Sequence, residues 1–307
     1  MRIVFAGTPQ VAVPSLRAIA AAGHEIAAVV TRPDAPSGRG RKLTPSPVAQ
    51  AAEELGIAVL KPVKANADFA AQLAELAPDV CPVVAYGALL PQSVLDVPQH
   101  GWVNLHFSLL PRWRGAAPVQ RAIMAGEQST GVTTFRLVRE LDAGPIWRHL
   151  EMPIGPGQTA GELLDQLSVV GAQVLVDTLD DIAEGVQPNA QPAGEFGYAD
   201  KLDVNELQID WRRDAAAISH LVLGASPDPG AWTLLNGERF KILRAVPAAP
   251  RTQLAPGELH ADRRNLWAGT SDGAVQLLEV QPVGKKAMAG ADWARGVPGG
   301  VDGVVLG

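Results

Sequence analysis

Through the first half of the chain, short apolar runs at strand spacing alternate with longer segments whose apolar residues recur every three to four positions. Arg2 to Ala6 reads as a buried strand, Gly7, Thr8 and Pro9 as a turn, and Val11 to Ala22 as a helix stopped at Gly23. His24 to Thr31 is the next strand. A helix from Val48 to Leu55, a strand from Ala58 to Leu60, a helix from Asp68 to Leu76 and a strand from Val80 to Ala85 follow. This alternation predicts a parallel, doubly wound sheet. Tyr86 and Gly87 end that fourth strand, and Pro91 to Leu95 offers a short helix. Val103, Leu105 and Phe107 then alternate with Asn104, His106 and Ser108, so the polar three share one face of a fifth strand beside the fourth. Pro111 and Gly115 break it, and Ala116 to Met124 forms a helix entered through Pro118.

Two further strands, Gly131 to Val138 and Ile146 to Met152, are joined by the tight turn Arg139 to Gly144. That turn sets Asp142 at the end of a strand rather than on a solvated face. Thr159 to Glu184 is a long amphipathic helix with Thr159 and Glu162 at capping-box spacing, and it closes the first domain. From Gly185 to Asn205 periodicity fades into Pro, Gly and Gln, which marks a linker. Beyond it come one helix, Asp214 to Leu223, and the short strands Ala231 to Leu235, Phe240 to Val246, Asn265 to Gly269 and Ala274 to Val280. Strands of that length between Gly and Pro predict a small β-barrel. The division is therefore residues 1–189, a linker at 190–205, and a second domain at 206–307.

Composition adds a compartment and removes several chemistries. With 307 residues and 47% apolar content, the chain can bury two cores. Its one cysteine, Cys81, rules out a disulfide framework and a cysteine-based zinc site, which points to the cytoplasm. The opening MRIVFAG has no signal-peptide layout, and no apolar run reaches the length of a membrane span. A net charge of -6 argues against general coating of nucleic acid and leaves room for local basic patches. One such patch is the long loop from Arg32 to Val48. There Arg32, Arg39, Arg41 and Lys42 face a single acid, Asp34, and the Pro, Gly and Ser content forbids regular structure. Lys285, Lys286 and Arg295 make another cluster.

Gly7-Thr8-Pro9 lacks the spacing of a dinucleotide fingerprint or a P-loop and reads as a turn. The six histidines are scattered without ligand spacing, so no metal is assigned. Asn104 and His106 read either as a hydrogen-bonded structural pair or as chemistry. Their shared face, the strand end and the turn carboxyl of Asp142 favour chemistry. An Asn carboxamide can donate to a developing oxyanion, His can add a donor or a proton shuttle, and Asp can hold the His tautomer. Ser108 is followed by a rigid turn and pairs poorly as a nucleophile, so direct attack of a substrate amine on a carbonyl suits the set better than a covalent intermediate.

Four motifs, FAGTP at Phe5 to Pro9, GRGRKLTPSPV at Gly38 to Val48, SLLPRWRGAAPVQ at Ser108 to Gln120 and LDAG at Leu141 to Gly144, occur in an order that resembles the methionyl-tRNA formyltransferase family. Tyr198 to Leu202, Ile209 to Trp211 and VQPVGKKAM at Val280 to Met288 resemble its linker and C-terminal domain. The resemblance implies a Rossmann-like α/β formyltransferase domain with a mostly parallel sheet, followed by a small OB-like β-barrel domain. It implies 10-formyltetrahydrofolate as co-substrate, initiator methionyl-tRNA as partner, and a monomer. It also implies that Asn104 and His106 stabilise the oxyanion while Asp142 orients His106 and assists proton transfer. Ser108, Leu109, Leu110 and Pro111 match the folate-lining segment, with Tyr86, Gly87 and Leu89 as a further wall. Arg39, Arg41 and Lys42 match the loop that meets the acceptor stem, and Lys285 and Lys286 extend that footprint. Phe107 stands where the family has a small residue. Two other readings are a formyltransferase for a small amine, which lacks use for the basic loop and second domain, and an idle RNA-binding relative, which has no need of the three site residues.

Overall fold

The computed structural model describes residues 1–37, 40, 42–193, 196–248 and 253–307. They cluster into two compact units. One comprises 1–115, 131–152 and 164–198, and the other 116–130, 153–163 and 199–307. The helices are α1 (Val13–Ala21), α2 (Pro47–Glu54), α3 (Ala67–Glu75), α4 (Gln92–Leu95), α5 (Pro118–Met124), α6 (Ala160–Ala183), α7 (Ala215–Ala225) and α8 (Gly290–Arg295).

In the first unit the apolar runs become β1 (Arg2–Gly7), β2 (Glu25–Val30), β3 (Val59–Leu60), β4 (Cys81–Val84), β5 (Trp102–His106), β6 (Ser129–Arg136) and β7 (Ile146–Pro153). Their order is β7-β6-β5-β4-β1-β2-β3. The pairs from β3 through β5 are parallel, and β5 meets β6 antiparallel. The chain runs outward from β1 to β3 and then returns to β4 on the other side of β1. In sheets of this kind such a reversal is where the carboxyl ends of the central strands leave room for a ligand. Gly7 lies there because a Cβ would stand 2.8 Å from Ala12 Cβ and 3.0 Å from the Val84 carbonyl. Close backbone approach, not a nucleotide fingerprint, requires the glycine.

One face of this sheet packs Val4, Val30, Phe69, Leu73, Val94 and Trp102. Trp102 is 1% exposed, and its indole N–H donates to the Val94 carbonyl at 2.9 Å, so burying the ring leaves no polar atom unpaired. α6 lies against β5 and β6, where a Cβ on Gly171 would stand 3.0 Å from Leu105 and 3.2 Å from Val132 and the Thr178 and Thr134 hydroxyls are 2.7 Å apart. Its first turn has the predicted reciprocal cap: Thr159 N–H donates to Glu162 at 2.9 Å, and Glu162 N–H donates to Thr159 Oγ1 at 3.3 Å.

The loop after β2 corrects an expectation. Ala35–Ser37 pairs antiparallel with Lys42–Thr44, with Pro36 opposite Leu43, so the segment does hold regular structure. A two-stranded ribbon asks only alternate residues to donate, and it accommodates a proline that a central strand would reject.

The second unit packs Trp211, Ile218, Phe240, Ile242, Leu266 and Leu277 in its core. Asp214 caps α7 by accepting from Ala217 N–H at 2.7 Å. The strands Ala231–Leu235, Glu238–Ala248, Ala274–Gln281, Leu266–Gly269 and Leu259–Ala261 are hydrogen-bonded in that order, all antiparallel, with Met288–Ala289 added to Ala274–Gln281. Leu259–Ala261, Met288–Ala289 and α8 were not foreseen from the sequence, since strands of two or three residues and a helix of six carry no readable period. α5 packs on α7 so closely that a Cβ on Gly224 would lie 2.8 Å from the Gln120 carbonyl.

Candidate active site

β5 sets Asn104 and His106 on one face, with Asn104 opposite Val83 and Phe135 and His106 opposite Thr133. The half-buried Asn104 carboxamide makes no hydrogen bond among the described residues, so its donors are free for a ligand. His106 is 5% exposed, and its Nε2 lies 2.8 Å from the Trp113 carbonyl. A carbonyl only accepts, so Nε2 carries the proton and the Nδ1 lone pair is turned to Asp142 Oδ2, 3.8 Å away. That separation is too long for a direct hydrogen bond. Burial lowers the His106 pKa, and the Asp142 charge and the Trp113 carbonyl oppose it; the ring rests neutral at pH 7.

Asp142 reaches this position through an unusual backbone. Its φ is 47°, in the left-handed region that disfavours a side chain, and its Oδ2 accepts from Gly115 N–H at 2.8 Å. Gly144 lets the turn close onto β6, because a Cβ there would stand 1.7 Å from the Arg136 carbonyl oxygen. Gln191 Nε2 donates to the Asp142 carbonyl at 2.7 Å and to the Gly144 carbonyl at 2.9 Å. Its Oε1 accepts from Arg114 at 2.6 Å, and the Arg114 guanidinium lies over the Phe196 ring, 4.3 Å from its centre. A cleft of about 520 Å³ adjoins the turn, lined by Arg114, Ala143, Pro145, Gln191, Pro192 and Phe196.

The segment after β5 is fastened from within. The fully buried Ser108 hydroxyl donates to the Arg112 carbonyl at 2.7 Å. Thr133 Oγ1 donates to the Ser108 carbonyl at 2.7 Å and accepts from Leu110 N–H at 3.2 Å. Ser108 and Leu110 thus shape the loop, while Leu109 and Pro111 remain part exposed. After β4 the backbone turns through left-handed Ala85 and Gly87, and Thr8 Oγ1 donates to the Tyr86 carbonyl at 2.8 Å. Tyr86 is buried, which raises its hydroxyl pKa against the effect of nearby Arg32, whereas Leu89 is 88% exposed.

Of the basic candidates, Lys42, Lys285 and Lys286 are exposed; Arg39 and Arg41 lie outside the described residues. Among the described residues, no three His, Cys, Asp or Glu side chains gather as a metal site, and no helix is long and apolar enough to cross a membrane. Sequence reading held Trp113 and Arg114 only as part of the SLLPRWRGAAPVQ motif and missed Gln191; the contacts of all three with the site follow from chain path and have no local pattern.

The formyl transferase family model matches residues 1–179, and a model of the formyl transferase C-terminal domain matches residues 201–298. A methionyl-tRNA formyltransferase of Streptomyces avermitilis is 55% identical over 300 residues, covering 97% of each chain. One of Saccharopolyspora erythraea is 56% identical over 299 residues, covering 96% of this chain and 97% of its own. Among solved structures, a variant of HypX from Aquifex aeolicus superposes with a TM-score of 0.70 at 21% identity, over 97% of this chain and 48% of HypX. WlaRD, a sugar 3N-formyl transferase, superposes with a TM-score of 0.67 at 16% identity, over 93% of this chain and 99% of its own. At these identities the two structures speak for the fold alone.

Proposed function

The chain belongs to the formyl transferase family, and we infer that it transfers the formyl group of 10-formyltetrahydrofolate to the α-amino group of methionine on initiator methionyl-tRNA. The observation that carries the reading is the unpaired Asn104 carboxamide beside a neutral His106 backed by Asp142. The strand ends suit a flat heterocycle: Leu89, Leu109 and Pro111 offer apolar surface, and the irregular backbone of 85–90 lies outside the described strands. Tyr86 and Gly87 shape that backbone, and Ser108 and Leu110 hold the loop that carries Leu109 and Pro111.

10-Formyltetrahydrofolate supplies an electrophilic formyl carbon. Asn104 donates to the formyl oxygen as negative charge develops there, a contribution that needs no change in protonation state. His106 cannot supply its Nε2–H, which is held by the Trp113 carbonyl, so its open nitrogen is Nδ1. As the amine bonds to the formyl carbon, its released proton is taken up at Nδ1, directly or through water, and the imidazolium facing Asp142 gives that proton to the departing folate N10 as the formyl C–N10 bond breaks and tetrahydrofolate leaves. The same charge stands beside the oxyanion. Asp142 therefore offsets the penalty of charging a buried ring.

Residues 1–189 form the folate-binding, catalytic domain in this reading, 190–205 the linker, and 206–307 the OB-like domain that grips tRNA. Arg39, Arg41, Lys42, Lys285 and Lys286 supply phosphate contacts, and the enzyme works as a cytoplasmic monomer. The test offers 10-formyltetrahydrofolate with charged initiator tRNA, charged elongator tRNA and small amines side by side. Formylation confined to the charged initiator supports the reading, and equal use of a free small amine refutes it.

A further inference from the structure

We propose that Gln191 is a positioning residue of this site: its side-chain amide bridges the Asp142–Gly144 turn and holds the Asp142 carboxyl facing His106. The proposal rests on the catalytic reading of Asp142. Three observations carry it. The Asp142 backbone is left-handed at φ 47°, a conformation that costs a non-glycine residue stability unless its surroundings impose it. One Gln191 NH2 group donates to the carbonyls of Asp142 and Gly144, on either side of Ala143, and so clamps both ends of the strained segment. Gln191 is itself held. The neighbouring Asn189 exchanges two backbone hydrogen bonds with Ile146, at 2.7 and 2.8 Å, and Arg114 donates to Gln191 Oε1.

The orientation of the amide is unambiguous, because two carbonyls require its nitrogen on one side and a guanidinium requires its oxygen on the other. Arg114 also belongs to a run that contacts His106, Gln191 and Asp142 together. The Trp113 carbonyl takes His106 Nε2–H, Arg114 holds Gln191, and Gly115 N–H donates to Asp142 Oδ2. Three consecutive residues thus tie the histidine, the clamp and the carboxyl to one piece of backbone. Gln191 closes this frame from the opposite side of the turn.

A glutamine that only filled space or paired with Arg114 would be replaced well by methionine or glutamate, respectively. Gln191→Met keeps the shape and loses the amide, and Gln191→Glu keeps an acceptor for Arg114 and loses the donor. Both should lower kcat by about 10- to 100-fold, the scale of a misplaced catalytic group, with KM for 10-formyltetrahydrofolate and for charged tRNA within about twofold. The unfolding midpoint serves as a control for folding in each variant. In an Asp142→Asn background, adding Gln191→Met should lower kcat by less than about twofold further, since a residue acting through Asp142 has little left to position. Wild-type turnover of either single variant overturns the proposal. So does a Gln191→Met loss that appears in full in the Asp142→Asn background. Wild-type turnover of Asp142→Asn alone would instead overturn the catalytic role of Asp142, and failure of the unmodified enzyme to formylate methionyl-tRNA would overturn the reaction itself.

Discussion

Gly144→Ala tests how finely the Asp142 turn must be placed. The added Cβ would lie 1.7 Å from the Arg136 carbonyl oxygen, 2.9 Å from its carbon and 3.4 Å from Phe135 Cδ2. The first two neighbours are backbone atoms of β6, so no side-chain rotation relieves the overlap. Reaching a tolerable contact demands a displacement of about 1 Å or more, and the turn must move because β6 is held by β5. Overpacking of this kind destabilises by about 1–3 kcal/mol. A displacement of that size at a catalytic group lowers turnover by about 100-fold, equivalent to about 2.7 kcal/mol of lost transition-state stabilisation. Steady-state formyl transfer to charged initiator tRNA measures kcat, and a urea titration measures stability. Gly273→Ala is the control, because its Cβ would meet nothing within 4 Å and its backbone is not left-handed. Wild-type kcat in Gly144→Ala with an intact fold would show that the position of Asp142 is not critical.

Asn104→Ala should lower kcat by about 10²- to 10³-fold with little change in the unfolding midpoint, since the carboxamide is half-buried and unpaired; normal turnover in a formyl-transfer assay would remove the oxyanion role. Glu162 has its pKa lowered by Arg244 first and by the Thr159 N–H next, so the stability it adds is full above its ordinary value of 4.5 and is lost as pH falls through the lower folded value. The pair is part exposed and contributes at most about 1 kcal/mol. Arg244→Met should therefore shift the urea midpoint at pH 7 and flatten its fall below pH 4.5, and parallel curves for the two proteins would contradict this. Lys42→Ala or Lys285→Ala should weaken tRNA binding and reduce the slope of log affinity against log salt by about 1, and an unchanged slope would return that lysine to ordinary surface.

Much of this was legible in the residues. The periods of Val103 to Ser108 put Asn104 and His106 on one face of a strand, and the spacing of Thr159 and Glu162 announced the helix cap; both patterns are local, and backbone geometry alone fixes which neighbours meet. The turn chemistry of Leu141 to Gly144 likewise marked a turn carboxyl away from a solvated face, although Asp142 lies within the connection between β6 and β7 and not at the strand end expected for it. Tertiary structure decided the rest. The tautomer of His106 depends on the Trp113 carbonyl, and a backbone oxygen leaves no signature in the choice of side chain. Gln191 meets the Asp142 carbonyl across 49 positions of sequence, from a segment without periodicity. α5 belongs by its contacts with the residues after 199, although it follows β5 directly in the chain. Hydrogen bonds and packing between distant segments are set by the path of the folded backbone, and no local spacing of residue types encodes them.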